Sequence, residues 1–414
     1  MPEFFIVLSP EAALEKLWAH LPARPVREFI PTAEALGRVT AEAVTAPASV
    51  PAFIRSTMDG YAVRAQDTYG ASQSLPAYLT LVGEAPMGRA SDFPVGAAQA
   101  ALVHTGGMLP AGADAVVMIE LTQKVGEHEI EVLKAVAPGE NLLRVGDDIA
   151  RGAPVVPAGH WLRPQDLGGL MALGLTEVTV ARRPRVALLA TGDEVVVPQA
   201  EPAAGQVRDV NSYSVAGQIA QAGGLPVRAG IAPDNFAALR AAAASALAGA
   251  DALVLSAGSS VSVRDMTGDV IAGLGRPGLL VHGVAVKPGK PTILAVADGK
   301  PVFGLPGNPV SAMVMADLFV VPTLYRLQGC ARPPARQSVR ARLTHNVASQ
   351  AGRVDYVPAR LAQRPGVAGL EWWAEPVFGK SNQIFTLVFA DWMLVIPMDS
   401  NGIATGETVE VRLF

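Results

Sequence analysis

The groups in this chain that could do chemistry are oxygen acids, ammonium ions and glycine-rich turns. Thr191-Gly192-Asp193-Glu194 places two carboxylates directly behind an apolar run at 186–190. Ser256-Ala257-Gly258-Ser259-Ser260 follows a second apolar run and offers backbone N–H groups and hydroxyls, the equipment of a phosphate cradle. Lys287-Pro288-Gly289-Lys290-Pro291 supplies two ammonium groups. Gly304-Leu305-Pro306-Gly307-Asn308-Pro309-Val310-Ser311 stiffens one short turn with two prolines and ends in a hydroxyl. Asp234 and Asp265 add carboxylates near further strand ends. Oxygen-only acids beside cations and N–H donors suit Mg²⁺ bridging phosphates.

Each segment also has a plain structural reading. The acidic turn could be a helix cap, the lysine pair a solvated surface, and Asn308-Pro309 ordinary helix initiation. Asp234 serves equally well as a helix cap. Arg55-Ser56-Thr57-Met58-Asp59-Gly60-Tyr61-Ala62-Val63-Arg64 reads first as a strand pair with an Asp59-Gly60 hairpin turn, and the 105–112 segment as a β-connection. His104 and His282 show no partner pattern and are assigned no chemistry.

The elements that must position these groups follow from periodicity. Strands at 186–190, 227–231, 252–256 and 301–305 alternate with helices beginning near Asn211, near Asp234, at 266–274 and from Pro309. That alternation predicts a doubly wound parallel sheet, whose ligands bind beyond the C-terminal strand ends. Ser9-Pro10 opens an amphipathic helix, and 1–46 reads as mainly helical with a short closing strand. Short β-runs at 78–82, 101–104, 115–120 and 129–132 predict a β-rich unit, and a helix is expected near 165–173. Beyond Arg332-Pro333-Pro334 the pattern is all-β, a small barrel or sandwich.

Composition narrows the functional classes. Half of the 414 residues are hydrophobic and 17% charged, with 41 Gly and 33 Pro, so several cores joined by rigid turns are expected. The net charge of −4 argues against nucleic acid as the main partner. One cysteine, Cys330, excludes an intrachain disulfide and a thiolate zinc cluster, and fits a reducing cytoplasm. No uninterrupted apolar run reaches the ~18 residues of a membrane helix. The apolar stretch near 313–324 carries Asp317 and Pro322 and reads as a buried helix.

In order along nearly the whole chain, these segments resemble the molybdopterin molybdenumtransferase family, which includes the bacterial MoeA proteins and the gephyrin E domain. Ser56 to Val63 is similar to the family's S-x-M-D-G-Y-A motif, and His104 to Gly112 to its T-G-x-x-x-P-x-G segment. Thr191 to Glu194 matches T-G-D-E, and Gln206 to Asn211 resembles G-Q-x-x-D-x-N. Lys287 to Pro291 matches K-P-G-K-P, and Gly304 to Ser311 matches G-L-P-G-N-P-V-S. The chain departs from the family at the glycine loop, where Ala257, Ser259 and Ser262 stand in a stretch usually written S-G-G-V-S-V-G. Leu143 stands where an arginine is common.

The resemblance implies an elongated helical/β N-terminal domain (1–46 and 146–182), a β-rich insertion (47–145), an α/β molybdopterin-binding domain (183–330) and a C-terminal β-barrel (331–414). It implies molybdenum insertion from molybdate into adenylylated molybdopterin, with Mg²⁺ and release of AMP, in a cytoplasmic homodimer. A transient contact with the molybdopterin adenylyltransferase is also implied, with no nucleic acid and no membrane. Asp59, Glu194 and Asp265 would be catalytic, Asp59 reaching across the dimer. Glu194, Asp234 and Asp265 would hold the metal. Thr105, Ser260, Lys287, Lys290, Pro306, Pro309 and Ser311 would bind substrate. The alternative is a pterin- or oxyanion-binding relative without catalysis, or a scaffold.

Overall fold

A computed structural model describes residues 7–21, 25–257, 261–366 and 369–413, with the side chains at 257, 261–265, 366 and 392 outside the description. Ser259, Ser260 and the side chains of Ser262 and Asp265 therefore lie outside the description.

The fold is α/β and multidomain, organised around three six-stranded sheets. The central sheet runs Leu225–Ala232, Arg185–Thr191, Ala252–Ala257, Lys300–Pro306, Ile293–Ala297 and Pro277–His282 in spatial order. Its first four strands are mutually parallel, as the alternation predicts. Side chains alternate between two cores across it. Val186, Leu188 and Val254 face one core, and Ala187, Leu189 and Leu253 face the other. That two-sided burial is why these strands are almost continuously apolar.

The sheet also holds an antiparallel strand that the alternation does not predict. Ile293–Ala297 is antiparallel to both of its neighbours. It joins Lys300–Pro306 through Asp298-Gly299, both at positive φ (51° and 83°), the conformation of a two-residue hairpin turn. The hairpin signal stood in the sequence, but the lysine-proline segment ahead of it masked the strand.

Residues 1–46 are not mainly helical. Among the described residues of that stretch, Pro10–Trp18 is the one α-helix, capped by Ser9 Oγ accepting from the Ala12 N–H at 3.2 Å. Its Ala13 and Leu17 pack into a core of the central sheet. Arg27–Pro31 instead pairs with Glu177–Ala181, and Val44–Thr45 with Pro154–Val156, around Val156, Leu162, Leu170 and Val178.

The second sheet has the spatial order Ala115–Met118, Gly60–Val63, Gln99–Val103, Ala77–Glu84, Glu129–Val132, Thr122–Val125. Asp59-Gly60 is no hairpin turn. Gly60 opens a central strand, and a Cβ there would fall 2.0 Å from the Val117 carbonyl oxygen. The third sheet closes on itself through Val354–Gly366, Gly369–Pro376, Ser338–Leu343, Thr408–Leu413 and Trp392–Ile396, making a small barrel. Val286–Lys287 adds to its edge by pairing with Val354-Asp355. The helical run Pro309–Leu327 is long and apolar enough to cross a membrane, yet 61% of it is buried among the core elements.

Candidate functional site

Because the four parallel strands share a direction, their C-terminal ends open on one edge. In spatial order they deliver Asp234, then Thr191 to Glu194, then the end of Ala252–Ala257, then Pro306 to Ser311. At about 4.8 Å per strand, this row spans roughly 14 Å. Ile293 pairs with Gly304, so the Lys287–Pro291 segment preceding that antiparallel strand reaches the same edge.

At the acidic flank, Asp234 Oδ1 accepts a hydrogen bond from Thr191 Oγ1 at 3.0 Å, and its N–H donates to Asp193 Oδ1 at 3.1 Å. The expected capping role of Asp234 falls to Asn235, whose Oδ1 accepts from the Ala238 N–H. Asp234 is thereby left free to face the loop. Gly192, at φ +144°, lets Glu194 fold back; a Cβ there would meet Glu194 Oε2 at 2.7 Å.

Asn211 ties the centre of the row together. Its Nδ2 donates to Ser256 Oγ and to the Gly307 carbonyl, each at 2.8 Å. The helix Asn211–Gln221 has Val210 at its N-cap, and Asp209 Oδ1, one residue earlier, accepts from the Ser212 N–H. Asn308 likewise does not cap the helix it precedes. Its Nδ2 donates to Ser381 Oγ at 2.9 Å, and the Val310 N–H donates to the Ser381 carbonyl at 3.0 Å.

Those bonds show what local sequence reasoning missed, the contribution of the C-terminal barrel. A cleft of 1270 Å³ lies between the two units, lined by Lys287, Lys290, Pro306, Ser311, Arg353 and Ser381 among others. Lys287 Nζ stands 3.7 Å from Asp355 Oδ2, and Arg353 Nε donates to Asp355 Oδ1 at 2.9 Å. The buried Asp355 carboxylate thus carries two cations, which leaves a net positive wall. Burial pushes the neighbouring Tyr356 phenol up to about 12, so it stays a hydrogen-bond donor. Pro309 opens its helix and does not line the cleft. A serine in a Gly379-Lys380-Ser381 turn carries no local signal of a site 70 residues upstream.

Asp59 and Thr105 come together elsewhere, at the end of the second sheet. Asp59 Oδ1 accepts from the Thr105 N–H at 2.7 Å and from Thr105 Oγ1 at 3.0 Å. The Thr105 amide, then its hydroxyl, hold the Asp59 carboxyl below its ordinary value, with a smaller contribution from His104. His104, which shows no partner pattern in the sequence, has its Nε2 2.8 Å from Glu84 Oε1 and its Nδ1 3.9 Å from Asp59 Oδ1. Asp59, His104 and Glu84 are each at or next to the end of one of three adjacent strands. None of them lines the cleft.

Matches to known proteins over nearly the whole chain make this multidomain α/β protein a transferase of molybdenum-cofactor biosynthesis. It belongs to the MoeA family. The MoeA N-terminal region (domain I and II) matches residues 8–174, the probable molybdopterin binding domain 187–326, and the MoeA C-terminal region (domain IV) 340–414. Molybdopterin molybdenumtransferase 2 of Mycobacterium tuberculosis is 33% identical over 394 residues, covering 94% of this chain and 95% of its own length. The molybdopterin molybdenumtransferase of Haemophilus influenzae is 31% identical over 411 residues, covering 99% of each. A crystal structure of the molybdopterin biosynthesis MoeA protein from Pyrococcus horikoshii OT3 superposes with a TM-score of 0.84 at 30% identity, covering 99% of this chain and 100% of that one.

Proposed function

We propose that this chain inserts molybdenum into molybdopterin, taking adenylylated molybdopterin and molybdate as substrates and releasing AMP. The observation that carries this reading is the convergence of four described loops on one sheet edge, with Lys287, Lys290 and Ser311 lining one cleft. Molybdate is a dianion, and so is the diphosphate bridge of an adenylylated pterin; ammonium groups, hydroxyls and N–H donors match both. In this reading Lys287, Lys290, Ser311 and the Pro306 turn hold the anions, with Arg353 and Ser381 added from the barrel.

Mg²⁺ fits the acidic flank. It binds through one or two carboxylates and keeps its other positions for water and substrate phosphate. Glu194 and Asp234 would hold the ion; the third acid proposed for it, Asp265, has its side chain outside the described residues. Bound there, it would offset the charge that develops on the phosphoanhydride as AMP leaves.

Asp59 and Thr105 lie away from the cleft of their own chain, and we infer that they serve a partner's site in a homodimer. The Thr105 bonds keep Asp59 ionised and fixed in direction for that purpose. We divide the chain as 1–46 with 146–182, 47–145, 183–330 and 331–414, and place it in the cytoplasm, where the adenylyltransferase would hand over the pterin. The test is a mixed dimer. Combining an Asp59→Ala chain with a Glu194→Ala chain restores activity at one of two clefts, whereas folded mixed dimers without rescue would remove the shared site.

A further inference from the structure

The cleft contains an exposed aromatic that the anion-binding groups do not explain. Phe378 lines it and yet keeps 61% of its surface exposed, which places the ring at the rim. Single exposed apolar residues are ordinary on a surface. This one differs in how firmly its backbone is held. The preceding Val377 N–H donates to the Pro358 carbonyl at 2.8 Å. The following Gly379 is packed so closely that a Cβ would meet Thr386 Cγ2 at 2.3 Å. Lys380 N–H donates to Gln383 Oε1 at 2.7 Å, and Ser381 is bonded to Asn308 and Val310 at the foot of the cleft. The ring is therefore presented from a turn locked on both sides, the condition for a preorganised contact.

Other exposed aromatics nearby are already engaged. Phe385 and Phe389 pack on each other with centroids 5.9 Å apart, Arg360 lies over Phe389, and neither ring lines the cleft. Among the described residues Phe378 has no ring or cation partner. Lys287, Lys290, Arg353 and Lys380 line the same cleft and make it cationic. A ligand that carries phosphates and a planar ring needs both kinds of surface: cations for charge, a π-face for the ring.

We propose that Phe378 is a stacking platform for the planar heterocycle of the bound substrate. This rests on the reading of the cleft given above. The pterin and the adenine are both planar heterocycles, and the test separates them.

Binding is measured by calorimetry on the full-length protein with three probes: adenylylated molybdopterin, AMP alone and molybdate alone. Phe378→Ala weakens adenylylated molybdopterin binding about tenfold, the scale of one lost ring stack, while Phe378→Trp stays within about threefold of wild type. Molybdate binding is unchanged in both variants, which shows that the cleft is intact. A parallel tenfold loss for AMP assigns the stack to adenine; unchanged AMP binding assigns it to the pterin. Wild-type affinity of Phe378→Ala for adenylylated molybdopterin overturns the platform, and so does a loss of molybdate binding, which marks a structural role. Lys287→Ala is the control for the underlying reading. If it loses molybdate while Phe378→Ala changes nothing, only the platform falls. If Lys287→Ala changes neither molybdate nor pterin binding, the cleft reading fails and the platform falls with it.

Discussion

The Nδ2 atom of Asn211 stands 2.8 Å from the carbonyl oxygen of Gly307, which lies 96 residues further along the chain. Through its second bond to Ser256 Oγ, one amide joins the ends of two adjacent parallel strands at the middle of the site. Asn211→Ala removes both bonds from a buried position. The expected cost is about 2 kcal/mol of stability, read from the denaturant midpoint. Turnover falls further, by roughly tenfold under conditions where the variant is fully folded, because the loops lose their mutual register. Unchanged turnover in a folded Asn211→Ala protein would separate this amide from the site.

The Asp59 carboxyl titrates below its ordinary 3.8 because the Thr105 amide and hydroxyl favour its charged form. A depressed acid contributes stability that is present above the ordinary value and is lost as pH falls through the folded one. Thr105→Val deletes the hydroxyl and keeps the amide. Carbon-detected titration of Asp59 should then move up toward 3.8 without reaching it, since the amide is the larger cause. No movement would mean that the hydroxyl bond is absent in solution.

Gly60→Ala tests the central strand of the inserted sheet. A Cβ at this position would stand 2.0 Å from a backbone oxygen, which no side-chain rotation can relieve. The strand must shift relative to Ala115–Met118, and Asp59 shifts with it. The expected result is a loss of several kcal/mol, on the scale of severe overpacking, with unfolding of the 60–132 sheet visible in proteolysis. A Gly60→Ala protein of wild-type stability would contradict this packing.

Much of the central sheet was legible because burial on both faces forces continuous apolar runs, and 186–190, 252–256 and 301–305 all fall within observed strands. Ile293–Ala297 was equally apolar but sat behind a lysine-proline segment read only for chemistry. The side chains of Asp234, Asn211 and Asn308 could each cap a helix, and none does, for one reason. A sequence shows that a polar side chain can cap a helix, not that a distant Thr191, Gly307 or Ser381 will claim it first. The lysines and the proline-rich turn were found because their types are rare together in one segment. Arg353, Phe378 and Ser381 were not, since only the docking of the barrel brings them to the cleft.

The most direct measurement uses purified wild-type protein with adenylylated molybdopterin, molybdate and Mg²⁺, following AMP release and cofactor formation together. The account predicts stoichiometric formation of both products, loss of both in EDTA, recovery on adding Mg²⁺, and indifference to Cys330→Ser. Binding of the adenylylated pterin without any AMP release would contradict it and leave a protein that holds the pterin but does not insert the metal.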